Sequence, residues 1–114
     1  MNPYIAAVFV LANLAFVSRA FSADEAAIQK GEKVYTQWCV ACHGPGLAGT
    51  VALQIRYKGA KPALLGERTD LPPAMTKTFV RKGVMSMPPF RKTEIADSDL
   101  DALAAYLARN TTAR

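Results

Sequence analysis

The chain has 114 residues, which is enough for one small domain but not for two. About half of the residues are apolar and a fifth are charged, a balance that suits a folded soluble domain. The formal net charge is +5, but the basic residues form no dense stripe, so nucleic-acid binding is not expected.

The N-terminal segment is predicted to be a secretory signal. Residues 5–17, IAAVFVLANLAFV, form an uncharged apolar run that is shorter than the ~20 residues of a membrane-spanning helix. Small residues follow it, which predicts cleavage after Ala20 or Ser22. The chain therefore divides into a signal peptide, 1–22, and a domain, 23–114, exported to a bacterial periplasm and not inserted in the membrane after cleavage. The alternative is an uncleaved membrane anchor.

Three main helices are predicted in the domain. The first covers 24–38 and contains Gly31. Because glycine destabilises a helix interior relative to alanine, its presence there suggests close approach of another backbone. The second covers 72–82, because proline is tolerated in a first helical turn and Gly83 can end the helix. The third covers 97–108, where apolar residues recur at helical spacing.

The remaining segments are predicted to be loops. The stretch 51–57, VALQIRY, fits either a short extended piece or a helical turn, and its residues do not decide between the two. No strong pair of strands is visible. The predicted fold class is all-α with long loops.

The pattern CVACH at 39–43 carries the chemistry. It holds the only two cysteines and the only histidine of the chain. C-x-x-C-H is the attachment motif of c-type haem. Thiols three residues apart on a helical turn point the same way, so Cys39 and Cys42 can reach the two vinyl groups of one porphyrin while His43 ligates the iron. Haem would also supply core that so short a chain lacks.

Three alternatives compete with this interpretation. A thioredoxin-like thiol pair needs a preceding strand and an alternating α/β pattern, which the sequence does not show. A zinc site usually takes four protein ligands, and this segment offers three. The third alternative is chance.

A methionine is predicted to be the second axial ligand. No second histidine exists, so two-histidine ligation is excluded within the chain. A His–Met haem is closed to substrates and has a raised potential. Met87 is favoured over Met85 and Met75, because Pro88 and Pro89 directly follow it and reduce the freedom lost on ligation. The alternatives are core packing of all three methionines and a five-coordinate haem sensor or catalyst.

With these residues in place, the domain resembles class I cytochromes c. Gly31, Tyr35 and Cys39 match the family's first helix, and Leu103 and Tyr106 match the residues of the last helix that the first helix crosses. The resemblance implies a small all-α fold, three main helices and long loops wrapped around one covalent haem c.

Two further segments extend this resemblance. KPALLG at 61–66 looks like the family's Pro-x-Leu segment, which implies that the Pro62 carbonyl accepts a hydrogen bond from the His43 ring and that Leu64 packs on the haem. GVMSMPPF looks like the family's methionine loop, with Met87 as the iron ligand.

A narrower resemblance runs over 62–107. It is similar to the cytochrome subunits of p-cresol methylhydroxylase-type flavocytochromes, which accept electrons from a flavoprotein dehydrogenase that oxidises alkylphenols. This resemblance implies an electron-transfer subunit that turns over no substrate itself. The alternative is a free periplasmic electron carrier.

Basic residues recur around the methionine loop and predict a basic rim for docking a redox partner. A solvated face of no special function is the alternative. The rim consists of Lys77, Arg81, Lys82, Arg91 and Lys92.

Overall fold

The computed structural model describes residues 24–111, so the predicted signal peptide lies outside the described part. No strand occurs between 24 and 111, and the predicted all-α class is confirmed. None of the helices in this range is both long and apolar enough to cross a bilayer. The helices are α1, whose described part covers 24–38, α2 (Val40–His43), α3 (Ala48–Tyr57), α4 (Pro73–Lys82) and α5 (Asp97–Ala108), with a 3-10 turn at Leu65–Glu67.

The predicted ends of α4 are confirmed. Pro73 occupies its first turn, where the missing N–H leaves no hydrogen bond unmade. Gly83 ends the helix with φ +69°, a backbone angle that glycine adopts without the clash of a side chain. The last helix also has the predicted bounds.

The undecided stretch 51–57 belongs to α3. Lys58 ends this helix in the left-handed region, and its N–H donates to the Gln54 carbonyl at 3.0 Å. A fourth main helix therefore lies where the sequence predicted a long loop. Among the elements from Val40 onward, α3 packs mainly against α2.

The predicted close approach of a second backbone at Gly31 is confirmed. A Cβ atom added to Gly31 would lie 2.0 Å from the Ala102 carbonyl oxygen of α5. One turn along each helix, the Tyr35 and Tyr106 rings contact at 5.6 Å between centroids. Leu103, fully buried, fills the core beneath this crossing.

The core forms where α1, α4 and α5 meet, since α4 and α5 pack closely on each other. It is small for a domain of this length. Its buried members are Val34, Leu71, Val80, Ile95, Leu100, Leu103 and Leu107.

Candidate functional site

The chain continues helically from α1 into α2 and places both thiols on one turn. The Cys39 N–H donates to the Tyr35 carbonyl at 2.9 Å, and the His43 N–H donates to the Cys39 carbonyl at 2.8 Å. Cys39 is half-buried and Cys42 is exposed, and both thiols are free. The helical spacing on which the haem-attachment interpretation depends is therefore present.

His43 is held by two neighbours that the sequence analysis did not identify. The Tyr35 hydroxyl donates to the His43 backbone carbonyl at 3.2 Å. A Cβ atom on Gly49 of α3 would lie 3.1 Å from both Nδ1 and Cε1 of the imidazole, so the absence of a side chain there makes room for the ring. The sequence indicated only that Gly49 lies in turn-rich surroundings.

The hydrogen bond predicted between the His43 ring and the Pro62 carbonyl is not formed. Nδ1 of His43 is buried and has no hydrogen-bond partner within residues 24–111, while Pro62 is exposed. The physical reason is that the backbone of α3 at Gly49 lies against this edge of the ring. This contact leaves Nε2 as the nitrogen for a metal.

Burial sets the protonation states of the motif. It lowers the pKa of His43, which favours the neutral imidazole that ligates iron. Burial, with a smaller effect of Cys42, raises the pKa of the Cys39 thiol to about 11. Burial also raises the pKa of Tyr35 to about 12, so its hydroxyl keeps the proton it donates to His43.

A groove of about 300 Å³ opens beside His43. Leu64, the second residue of the predicted Pro-x-Leu pair, lines the groove together with His43, as does Tyr35. The structure therefore places Leu64 beside His43 and leaves Pro62 outside the groove.

The two candidate methionines of the loop differ sharply in burial. Met85 is 90% exposed and has a left-handed backbone at φ +51°. Met87 is half-buried and packs against the core. A tight turn joins them, in which Val84 and Met87 exchange backbone hydrogen bonds at 3.0 and 2.9 Å. This difference supports Met87 over Met85 as the ligand.

Arg81 connects the methionine loop to the helices. Its guanidinium donates to the carbonyls of Phe90 at 3.1 Å and Ile95 at 2.8 Å, and it pairs with Asp97. The Phe90 ring meets Trp38 of α1 edge to face at 5.9 Å. The loop is thus supported at its C-terminal side.

The predicted basic rim is largely neutralised by carboxylates. Lys77 pairs with Asp101 at 2.6 Å, and Arg81 and Lys92 both pair with Asp97. Arg91 lies 3.6 Å from Glu94. Charges that alternate in sign so closely cancel at a distance, so this rim is a weaker docking feature than the sequence indicated.

A second polar cluster, not predicted, fastens the end of α3. Arg68 is 4% exposed, pairs with Asp70, and donates to the Tyr57 hydroxyl at 2.7 Å. Lys61 pairs with Asp70 at 2.8 Å from the other side. Arg68 and Asp70 are only two residues apart, but no helical or strand spacing connects them to Tyr57 and Lys61.

The residues present fit a haem. Two thiols on one turn, a half-buried imidazole with a lowered pKa and a half-buried methionine would form the donor set. Large apolar side chains are exposed on α4 and the methionine loop, at Met75, Phe79 and Val84. Within the described residues, no group of three His, Cys, Asp or Glu side chains converges to hold a metal ion directly.

Comparison with known proteins points to the same chemistry. A family model described as "Cytochrome C oxidase, cbb3-type, subunit III" matches residues 26–107. The cbb3-type cytochrome c oxidase subunit CcoP of Azospirillum brasilense is 34% identical over 92 residues. The alignment covers 75% of this chain and 29% of the relative, so the chain spans less than a third of that protein. No solved structure matches.

These comparisons do not support the narrower resemblance. Both name cbb3-type oxidase subunits and neither names a flavocytochrome of the p-cresol methylhydroxylase type. The broader resemblance to c-type cytochromes is confirmed.

Proposed function

The chain belongs to the family of cbb3-type cytochrome c oxidase subunit III proteins, and from that membership we propose that it transfers electrons through one covalently attached haem c. The family as a whole suggests haem-based electron transfer. The observation that carries the proposal for this chain is the single helical turn that presents both thiols and the imidazole.

Each residue has one role in this proposal. Cys39 and Cys42 would hold the haem through thioethers, His43 and Met87 would ligate its iron, and Leu64 lies beside the histidine. A bound haem supplies the one-electron couple of its iron. Burial favours the neutral imidazole, Gly49 makes room for the ring, and the Tyr35 hydroxyl holds the backbone of the same residue.

The absorption spectrum tests the proposal. The purified protein should give a pyridine haemochrome of thioether-linked haem, and its oxidised form should show the weak long-wavelength band of iron–methionine ligation. We expect Met87→Ala to abolish that band and to lower the potential. Met85→Ala is the matched control and should keep it. A band that survives Met87→Ala would refute the ligand assignment, and a protein with titratable thiols and no haem would refute the function.

The cellular role depends on which redox partner the protein binds. The similar protein from Azospirillum brasilense is named as an oxidase subunit. That name favours a respiratory oxidoreductase complex over a phenol-oxidising flavoprotein as the partner of this chain. Export to the periplasm is part of the proposal. Purification of the untagged native protein tests the partner. Oxidase subunits would support the first role, a flavoprotein would support the second, and recovery alone would indicate a free carrier.

A further inference from the structure

Helix α3 presents an apolar stripe to solvent. Leu47, Val51 and Ile55 are spaced four residues apart, so they lie on one face of the helix. Their exposed fractions are 41%, 38% and 70%. Exposed apolar residues in one contiguous row, rather than scattered singly, indicate an interaction site.

The stripe and the contact with His43 lie on different sides of α3. α3 contacts the imidazole through Gly49, at the Nδ1 and Cε1 edge of the ring. Nε2 is the nitrogen that would remain to ligate a metal. Counted at about 100° per residue, Val51 projects from the side of α3 opposite to Gly49, so the apolar row points away from the imidazole that Gly49 contacts.

The charges around the stripe are of one sign. Residues 44–66 contain no aspartate or glutamate. Arg56 follows Ile55 directly and Lys58 lies about one turn beyond it, and both are exposed. Within residues 24–111 neither forms an ion pair, in contrast to most of the cations around the methionine loop.

From this contrast we propose that α3, with Leu47, Val51 and Ile55 at its centre and Arg56 and Lys58 at its rim, is the docking surface for an acidic redox protein. The inference rests on the proposed electron-transfer function and names the surface that serves it. An apolar centre excludes water on contact, while unpaired cations at the rim steer an acidic partner and speed its encounter. Four of the five cations of the predicted rim, Lys77, Arg81, Arg91 and Lys92, are paired with carboxylates and steer less.

Photo-cross-linking of the full-length holoprotein in its native host tests the surface. Benzoylphenylalanine at position 55 should cross-link to a haem, flavin or copper protein with an acidic surface. The same probe at Gln29, exposed on α1, is the matched control and should not. A cross-link to a second copy, to residues 1–23 of the same chain or to no protein would overturn the proposal.

Kinetics with the captured partner then test the chemistry. We expect Arg56→Gln with Lys58→Gln to slow electron transfer by roughly tenfold at low ionic strength, and the difference to vanish at high salt. Ile55→Ser should slow it at every salt concentration, whereas Ile55→Leu should not. The control pair, Lys77→Gln with Lys92→Gln, removes two cations that carboxylates already neutralise. It should have the smaller effect, and the reverse order would refute the assignment.

The haem spectrum separates failure of this surface from failure of the function. The α3 variants should keep the haemochrome and the iron–methionine band unchanged. Loss of haem in Ile55→Ser would show that the stripe lines the haem pocket, which overturns the docking surface and leaves electron transfer intact.

Discussion

At the scale of the residue, single atoms decide which candidates can act. Gly49 admits the imidazole because it carries no side chain, and Tyr35 holds the backbone of the same histidine. Met87 rather than Met85 is close to the core, although the two residues share one turn. The chemistry of the motif follows from the sequence, but these supporting contacts depend on residues that no local pattern connects.

The pairing of Asp70 predicts an acid-sensitive contribution to stability. Hydrogen bonds from Arg68 and Lys61 hold the pKa of this carboxyl well below its usual value of 3.8. Because the folded-state pKa is depressed, the ionised carboxylate stabilises the folded protein when the pH is above the usual value of 3.8. This contribution to the free energy of unfolding is lost as the pH falls from there toward the folded-state pKa. We expect Asp70→Asn to destabilise the protein at neutral pH by an amount that shrinks toward pH ~2.

Urea unfolding at neutral and acid pH measures this effect. Glu32→Gln, at an exposed carboxylate without an ion pair in the described residues, is the control and should show no such pH dependence. A stability difference for Asp70→Asn that stays constant across the range would contradict the assigned pairing.

At the scale of the element, helices meet where small residues let them touch. Two contacts depend on a glycine that has no side chain. Gly31 lets α1 cross α5, and Gly49 lets α3 approach the His43 ring. The sequence indicated the first, because a glycine inside a long helical pattern needs a reason. It did not indicate the second, because that glycine lies in a segment whose helical state was undecided.

The helix crossing predicts the sign of a substitution at Gly31. Alanine normally stabilises a helix interior by about 1 kcal/mol relative to glycine. Here the added Cβ would lie 2.0 Å from a backbone oxygen that cannot rotate away. We expect Gly31→Ala to lower the free energy of unfolding by about 3 kcal/mol.

Chemical denaturation of the holoprotein checks this value. Gln29→Ala, exposed on the same helix, serves as the control and should change stability by less than about 0.5 kcal/mol. A stabilised Gly31→Ala variant would mean that α1 and α5 do not approach each other this closely.

At the scale of the whole molecule, the apolar core is small. Ile95 and Leu103 are the only large apolar side chains in the described residues with less than 2% exposure, while other large apolar side chains remain at the surface. A covalently held haem would complete the core and tie α2 to the methionine loop.

The small core predicts a strong dependence of stability on haem. We expect Cys39→Ser with Cys42→Ser to lose covalent haem and to retain a free energy of unfolding of about 3 kcal/mol or less. Circular dichroism during thermal unfolding measures it. Unaltered chain produced in a host that cannot attach haem is the control and should behave alike. Cooperative unfolding at the temperature of the holoprotein would show that the protein core suffices.

The sequence by itself determined the class of chemistry and most of the helices. C-x-x-C-H and the helical periodicity of 24–38 and 97–108 are local patterns, because covalent attachment and backbone hydrogen bonding act over a few residues. Only the tertiary structure decided that α3 is a helix, that Gly49 rather than Pro62 meets the histidine, and that most cations of the predicted rim are paired. Those outcomes depend on contacts made in the folded chain, and such contacts leave no periodic pattern in the local sequence.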